Sequence, residues 1–355
     1  MCNVNDYAPS RIYALLSGNS RFGLGDPILG RAHHSIIPIL QYSNLKTRRS
    51  DMAIMHSLYR EAGSVRINPD ICTQCGACAE ICPSAVLRMD NGKVGVHSDS
   101  PFGCIACGHC MMVCPVAAVR VNGRGVSPDD VTPLPTPEKR ADVEMLSNLM
   151  LSRRSVRQFT EQEVDEKLLA RIVGMASTAP MGIPPWDVGC VMVCGRPAIR
   201  QIAAKVIRGY EGFLTLFKPW VLALMRPFVG KEKYELFAHF VRPLAQAYVQ
   251  SSQAGQDKLF YDAPALLIFH HSAYADAVDA SIACTYAMLA AESMGLGSTI
   301  IGGAPPIIQR NKALCKRLGI PTGNTPAIAL ILGYPATQFR FAIHRHFSHV
   351  STVGG

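Results

Sequence analysis

Eight of the thirteen cysteines lie between Cys72 and Cys114, in two runs with the same spacing. The runs are Cys72, Cys75, Cys78 and Cys82 followed by Pro83, and Cys104, Cys107, Cys110 and Cys114 followed by Pro115. In such a run three thiolates surround one face of a cubane iron-sulfur cluster, and the fourth cysteine binds the other cluster of a pair. The doubled run therefore predicts two clusters that carry electrons.

The spacing also predicts which cysteines share a cluster. One set is Cys72, Cys75, Cys78 and Cys114, and the other is Cys104, Cys107, Cys110 and Cys82. Small residues inside the loops, such as Gly76 and Gly108, leave room for backbone N–H groups to turn toward the sulfurs. Structural zinc is the alternative, but a four-ligand zinc site does not account for a doubled four-cysteine run.

Short strands are expected on both sides of the cysteines, at Val65–Pro69 and Ala117–Asn122, as parts of an internal repeat. With these strands, residues 64 to 123 resemble a bacterial two-cluster ferredoxin. The resemblance implies two [4Fe-4S] clusters that pass single electrons at low potential.

A second cluster of chemically capable residues follows a proline-rich linker, Ser127–Pro137, in which an α-helix is not expected. Residues 152 to 159 read SRRSVRQF and contain Arg153, Arg154, Ser155 and Arg157. Guanidinium groups and hydroxyls near a helix end suit a phosphate group, which accepts several charge-assisted hydrogen bonds. A solvated basic surface is the alternative explanation.

The segments downstream must position such a site. Thr160 and Glu163 suggest a capping box for a helix carrying Leu169 and Ile172, and a rigid turn at residues 179 to 186 precedes a strand. The other expected elements are the strand Val188–Val193, the strand Ala265–Phe269, the helix Ala277–Met294 ended by Gly295, the segment Ile300–Gly303, a helix over about Pro306–Leu318 and the strand Ala327–Leu332.

The order of these segments resembles the nitroreductase family of FMN enzymes over about residues 142 to 350. The resemblance is carried by the RRSVRQF run, the APMGIPPW turn, Asp262-Ala263-Pro264, the AAESMGLGSTIIGG helix end, LGIP at 318 to 321, and GYP followed by basic residues. It implies an intertwined homodimer with FMN at the subunit interface. The predicted fold class is thus α+β: a small ferredoxin-like two-cluster domain followed by a nitroreductase-like α+β sandwich domain.

The same resemblance suggests the FMN contacts. These are Arg153, Arg154, Ser155 and Arg157 at the phosphate and ribityl chain, Arg345 closing the phosphate site, Ile301, Gly302 and Gly303 near the isoalloxazine ring, and Pro180, Met181 and Gly182 near its other edge. Arg340 is the alternative to Arg345. The family usually places an asparagine before Gln-Pro-Trp, but Ile183–Trp186 carries no such amide. Flavin contact in that turn is then expected from backbone groups.

Length and composition limit the remaining possibilities. The 355 residues suggest two or three domains. We divide the chain into an N-terminal extension of unknown role (1–60), a cluster domain (61–125), a linker (126–140) and an FMN domain (141–355). The net charge is +9, but the clusters lower it, so no nucleic-acid partner is expected. No transmembrane segment or secretory signal is recognisable, which favours a cytoplasmic location.

An insertion around residues 208 to 257 mixes aromatic and basic side chains, including Trp220, Phe228 and Lys231. It resembles insertions of this family that shape the substrate pocket, and a cap over the flavin, packed at the dimer interface, is therefore expected. An amphipathic segment that touches a membrane surface is the alternative.

These features predict an electron-transfer enzyme. An external low-potential donor, a ferredoxin-like protein or NAD(P)H, would reduce the clusters, and these would reduce FMN. The acceptor would be a small molecule such as a nitroaromatic, a quinone or an activated alkene. Two alternatives are a non-catalytic electron carrier or redox sensor, and a specialised FMN enzyme that performs dehalogenation or flavin fragmentation. No side chain is identified as a general acid, so solvent is expected to supply protons.

Overall fold

The computed structural model describes residues 63–100, 103–182 and 187–354. The N-terminal extension of residues 1–60 and the turn Ile183–Trp186 therefore lie outside the described residues.

The cysteine-rich part contains two antiparallel strand pairs and two short helices. In chain order these are β1 Ser64–Ile67, α1 Ala77–Glu80, β2 Leu87–Asp90, β3 Lys93–Val96, α2 His109–Val113 and β4 Val119–Asn122. The first strand pairs with the last, so that Ser64 faces Asn122 and Ile67 faces Val119. Leu87, Val119 and Val121 are buried with the two helices in a small core of their own.

Between the cysteine-rich part and the next helix, the chain contains only two 3-10 turns, Pro128–Asp130 and Pro137–Lys139. Each starts on proline, whose fixed φ suits a first helical position. Pro133 and Pro135 lack the N–H that a helix interior needs, so an α-helix cannot run through this segment. The proline-rich segment is thus without an α-helix, as predicted.

The rest of the described chain forms a four-stranded sheet covered by helices. In chain order the elements are α3 Val143–Ser152, α4 Glu166–Ala176, β5 Val188–Cys194, α5 Arg196–Leu216, α6 Pro219–Val229, α7 Lys231–Leu236, a π-helical turn Phe237–Val241, α8 Arg242–Gln253, β6 Ala265–His271, α9 Ala277–Ser293, β7 Gly297–Ile301, α10 Ala304–Arg310, α11 Lys312–Arg317 and β8 Thr325–Gly333. The sheet order is β5-β6-β8-β7, with every pair antiparallel.

The sheet lies between two helical layers because its central strands are apolar on both faces. Leu266 and Ile268 of β6 point into a core shared with α5, α8 and α10. Leu267 and Phe269 point the other way, into a core shared with α4 and α9. Each fully buried side chain of this size contributes about 2 kcal/mol. The predicted α+β sandwich is confirmed.

Two local expectations were wrong. The helix α4 is capped by Asp165, whose carboxylate accepts from the N–H of Lys167, rather than by Thr160 and Glu163. Those two residues instead hold the guanidinium of Arg196 through the Thr160 carbonyl and the Glu163 carboxylate, both at 2.5 Å. A buried arginine therefore displaced the local cap.

The single helix expected over Pro306–Leu318 is two helices, since Asn311 interrupts it and accepts from the N–H of Leu314 to start α11. The segment Ile300–Gly303 begins inside the strand β7, which starts at Gly297. This strand follows α9 directly because Gly295 adopts a left-handed conformation, with φ at 76°.

Among the described residues, no single helix is both long enough and apolar enough to cross a bilayer. The helices α5 and α6 pass that test only together, and they meet at an angle of 80°.

Candidate functional site

Four cysteines line one cavity in the cysteine-rich part. Cys82 from the first run lies there with Cys104, Cys107 and Cys110 from the second. Apolar side chains including Val65, Leu87 and Val121 form the rest of the wall. The fold therefore brings together the four cysteines that the sequence assigned to one cluster.

The other four cysteines include a second group of neighbours. Cys78 is buried, and the charges of Cys114 and Cys72 act on it. The sulfur of Cys114 accepts a hydrogen bond from the N–H of Ala118 at 3.1 Å. Cys75 is the exposed member of its run. Cys114 of the second run thus lies with the first run, just as Cys82 of the first run lies with the second.

The two loops have the same backbone conformation at matching positions. Gln74 and Gly76 in the first loop have φ of 56° and 79°, and Ala106 and Gly108 in the second have 55° and 75°. Alternating left-handed residues turn successive N–H groups toward one concave side, a geometry that binds anions and iron-sulfur clusters. The repeat seen in the sequence is therefore also a repeat of backbone conformation.

Burial raises the pKa of the Cys78, Cys104 and Cys110 thiols. The pKa of Cys110 rises to about 12, chiefly through burial and then through the nearby Cys104, Cys107 and Cys82. Metal binding requires thiolates, so an iron core would have to supply the compensating positive charge. Among the described residues no three potential ligands surround a single ion, and a cubane does not require this because each thiolate binds a different iron.

Positive charge gathers at the end of α3. Burial lowers the pKa of Arg153, the neighbouring Arg154 lowers it further, Glu292 opposes the shift, and Arg345 of the C-terminal tail also lowers it. The guanidinium groups of Arg153, Arg154 and Arg345 are therefore close enough to repel one another, and Glu292 is the one carboxylate that offsets this repulsion at Arg153. A bound phosphate would relieve their mutual repulsion and accept their hydrogen bonds.

The residues after Arg154 are fixed by the edge strand β7. Ser155 forms a bridge with Ser298, and the N–H of Val156 donates to the Ser298 carbonyl at 3.0 Å. The Val156 carbonyl accepts from the Thr299 hydroxyl at 2.6 Å. This close approach requires Gly297, because a Cβ there would lie 2.6 Å from Val156. The RRSVRQF run is therefore held against the sheet.

Comparison with known protein families identifies the family of both domains. Residues 150–334 match the description "Nitroreductase family", and residues 64–115 match "4Fe-4S dicluster domain". The chain belongs to the nitroreductase family. The protein is an iron-sulfur flavoprotein and an FMN-dependent oxidoreductase. The family matches confirm its predicted cofactors, two [4Fe-4S] clusters and FMN.

Individual proteins show the same two similarities. A nitroreductase with bound FMN from Bacteroides fragilis is 18% identical, with 59% of this chain and 98% of that one covered and a TM-score of 0.45. A nitroreductase with bound FMN from Desulfitobacterium hafniense is 20% identical, with 59% and 97% covered and a TM-score of 0.44. The polyferredoxin protein MvhB of Methanothermobacter marburgensis is 50% identical over 32 residues, which span 9% of this chain and 8% of that protein.

Arg157 of the nitroreductase domain lies among tyrosine side chains, away from the charged groups around Arg153. Its guanidinium lies 5.7 Å from the ring centre of Tyr261, and its charge also acts on Tyr248. The ring of Tyr248 lies 5.4 Å from that of Tyr210, whose hydroxyl donates to the Gly303 carbonyl at 2.7 Å. Arg157 and Gly303, both candidate FMN contacts, are thereby linked by three tyrosines.

The remaining candidates occupy the ends of the sheet and of α9. Ile301 is buried at the end of β7, and Gly302 has open space where a side chain would stand. In the Pro180–Gly182 segment, the N–H of Gly182 donates to the Asp279 carboxylate at 3.0 Å. Asp279 is nine-tenths buried on the first turn of α9 and fixes the start of the turn that leads into β5.

Sequence reasoning missed three residues besides Asp279 and the tyrosines. Ser298 is buried beside Ser155, and its hydroxyl has no hydrogen-bond partner among the described residues. Burial lowers the pKa of Arg124 at the end of the dicluster domain, while Cys104 and Asp187 oppose that shift. The buried Asp187 belongs to the nitroreductase domain and accepts from the Ser272 hydroxyl at 2.7 Å. Isolated polar residues without a motif gave no signal in the sequence.

Proposed function

We propose that this protein passes electrons from an external low-potential donor through its two [4Fe-4S] clusters to FMN, and from there to a small acceptor. The observation that carries the proposal is the position of Arg124. Its charge interacts with Cys104, a proposed cluster ligand, and with Asp187, which directly follows the turn expected at the flavin. The end of the cluster domain thus lies within electrostatic reach of both a proposed cluster ligand and the start of β5 in the flavin domain, which supports electron transfer between the two.

In this proposal the eight cysteines of the two runs are the cluster ligands, four to each cluster in the crossed arrangement. Arg153, Arg154 and Arg345 bind the FMN phosphate, because their charges act on one another and Arg153 and Arg154 are half-buried. Ser155 and Ser298 are held side by side next to this charge, with the Ser298 hydroxyl available as a donor. Arg157 and the backbone of 301–303 and 180–182 then flank the ring system.

Reduced FMN supplies either a hydride or two single electrons, which matches one-electron clusters to a two-electron acceptor. The chain itself positions the flavin. Tyr210 fixes the Gly303 carbonyl, and burial followed by Tyr248 raises the pKa of Tyr210 to about 12. Its hydroxyl therefore stays protonated as a donor at neutral pH, and protons for the acceptor come from solvent.

The proposed partners are a ferredoxin-like protein or NAD(P)H as donor, and a nitroaromatic, quinone or activated alkene as acceptor. We further propose a cytoplasmic homodimer. Large apolar side chains remain exposed on α3 and along the tail, among them Val143, Phe341 and Phe347 at 84%, 87% and 86%. A second copy wrapped by these segments would bury them.

The first experiment is anaerobic purification followed by dithionite titration, with iron, sulfide and FMN counted per chain. We expect about eight iron atoms and one FMN, and flavin absorbance that bleaches after the cluster EPR signal develops. Reoxidation of the flavin by a quinone or nitroaromatic, without oxygen, distinguishes an enzyme from a carrier. Iron without flavin would contradict the proposal.

Arg153→Ala tests the phosphate assignment separately. Loss of one charge-assisted contact is expected to weaken FMN binding about tenfold or more while the cluster EPR signal stays unchanged. The control is Arg140→Ala, an exposed arginine in the linker. Equal loss of flavin and iron in Arg153→Ala would refute separate sites.

A further inference from the structure

One face of α6 is apolar and exposed. Trp220, Leu224 and Phe228, spaced four residues apart, are 65%, 67% and 87% exposed. Residues with this spacing lie along one side of a helix, and we call these three the outer stripe. Leu222, on the opposite side of α6, is buried against the domain. The outer stripe therefore points away from the body of its own subunit.

Basic side chains border the outer stripe. Between Lys218 and Glu235 there are four cations, Lys218, Arg226, Lys231 and Lys233, all exposed, against two carboxylates. Lys231 lies 3.9 Å from Glu235, a loose and solvent-exposed pair. The segment thus combines Trp, Leu and Phe with an excess of positive charge, which is the composition of helices that lie in the headgroup region of a membrane.

The neighbouring helices define how deep this contact can go. Although α5 and α6 together have the length and hydropathy of a membrane span, α5 packs Ile199, Val206 and Phe213 into the protein core. Those side chains are not available to lipid. The bend of 80° separates α6 from the buried face of α5. Phe240, in the π-helical turn that follows α7, adds a further apolar side chain at 60% exposure.

We propose that the outer stripe and its bordering lysines and arginine bind the surface of an anionic lipid bilayer, with α6 lying in the interface and not crossing it. Trp220 and Phe228 enter the boundary between headgroups and acyl chains, and the long basic side chains reach the phosphates. A second copy is a poorer occupant, since a two-fold contact through this stripe would place its cations near their own copies.

The test uses the full chain with its clusters and flavin in place. We expect it to cosediment with vesicles containing phosphatidylglycerol and to bind at least about tenfold less to pure phosphatidylcholine vesicles. Leu224→Glu combined with Phe228→Glu should reduce binding to the anionic vesicles about tenfold or more. The matched control is Val131→Glu with Leu134→Glu, which adds the same charges at exposed linker positions.

A second measurement does not depend on a charged variant. Brominated acyl chains should quench the fluorescence of Trp220, and this quenching should disappear in Trp220→Phe, which leaves Trp186 as the remaining tryptophan. Wild-type protein that stays in the supernatant, or an acidic stripe variant that binds as well as the control, would overturn the proposal. So would a stripe variant that turns a dimer into a monomer with unchanged lipid binding, because the stripe would then join two copies.

Discussion

The two redox domains collect their functional groups over very different stretches of chain. In the dicluster domain all eight cysteines lie between Cys72 and Cys114, and repeated left-handed residues such as Gly76 and Gly108 shape the loops. In the nitroreductase domain the proposed FMN contacts come from four segments between Arg153 and Arg345. The first site depends on local backbone conformation, whereas the second depends on the sheet that brings distant segments together.

The most severe expected effect is on the local site. Cys110→Ser removes a thiol from the cavity shared with Cys82, Cys104 and Cys107, and the iron content should fall from about eight atoms to about four. FMN content should not change, because none of the proposed FMN contacts lies in that loop. The exposed Cys194 provides the control, since Cys194→Ser should leave both cofactors in place. Parallel loss of FMN in Cys110→Ser would show that the two sites are not built separately.

The distributed site should be sensitive to a residue remote from the flavin. Arg196 is buried and donates to the carbonyls of Thr160, Glu161 and Asp262. Arg196→Met leaves these acceptors without a donor, so the free energy of unfolding should fall by about 3 kcal/mol. Urea unfolding followed by flavin release measures this change.

The control for Arg196 is Arg200, which pairs with the same Asp262 carboxylate. Arg200 also pairs with Asp262, at 2.8 Å, but is 62% exposed. Solvent screens such a pair, so Arg200→Met should cost far less. Similar losses in the two variants would mean that burial does not determine the contribution of Arg196.

The smallest effect concerns a single hydrogen bond. Tyr210→Phe removes the donor to the Gly303 carbonyl and should cost about 1 kcal/mol in the free energy of unfolding. Burial raises the pKa of Tyr210 from 10.0 to about 12, so the neutral hydroxyl is favoured in the folded state. The free energy of unfolding should therefore decrease as pH rises from about 10 toward about 12, and this decrease should be weaker in Tyr210→Phe. An identical alkaline profile in both proteins would contradict the role given to this hydroxyl.

Sequence alone predicted the elements whose signal is local. The cysteine spacing, the apolar strand at 265–269 and the long helix ended by Gly295 needed no knowledge of distant contacts. The cap of α4 was predicted wrongly because Thr160 and Glu163 accept hydrogen bonds from Arg196, a residue of another helix. Asp279 and Ser298 were missed for the same reason, since each gains its role only when a remote segment packs beside it.

The pairing of β1 with β4 places both ends of the dicluster domain side by side, with Ser64 opposite Asn122. A unit whose entry and exit are neighbours can be inserted into a host chain at a surface position without stretching that chain. Its cysteines and its small core travel with it, since both are contained within the inserted segment. The domain is thus a transferable electron-carrying module, and grafting it onto another flavoprotein requires only one host site where two chain ends lie about one strand spacing, roughly 5 Å, apart.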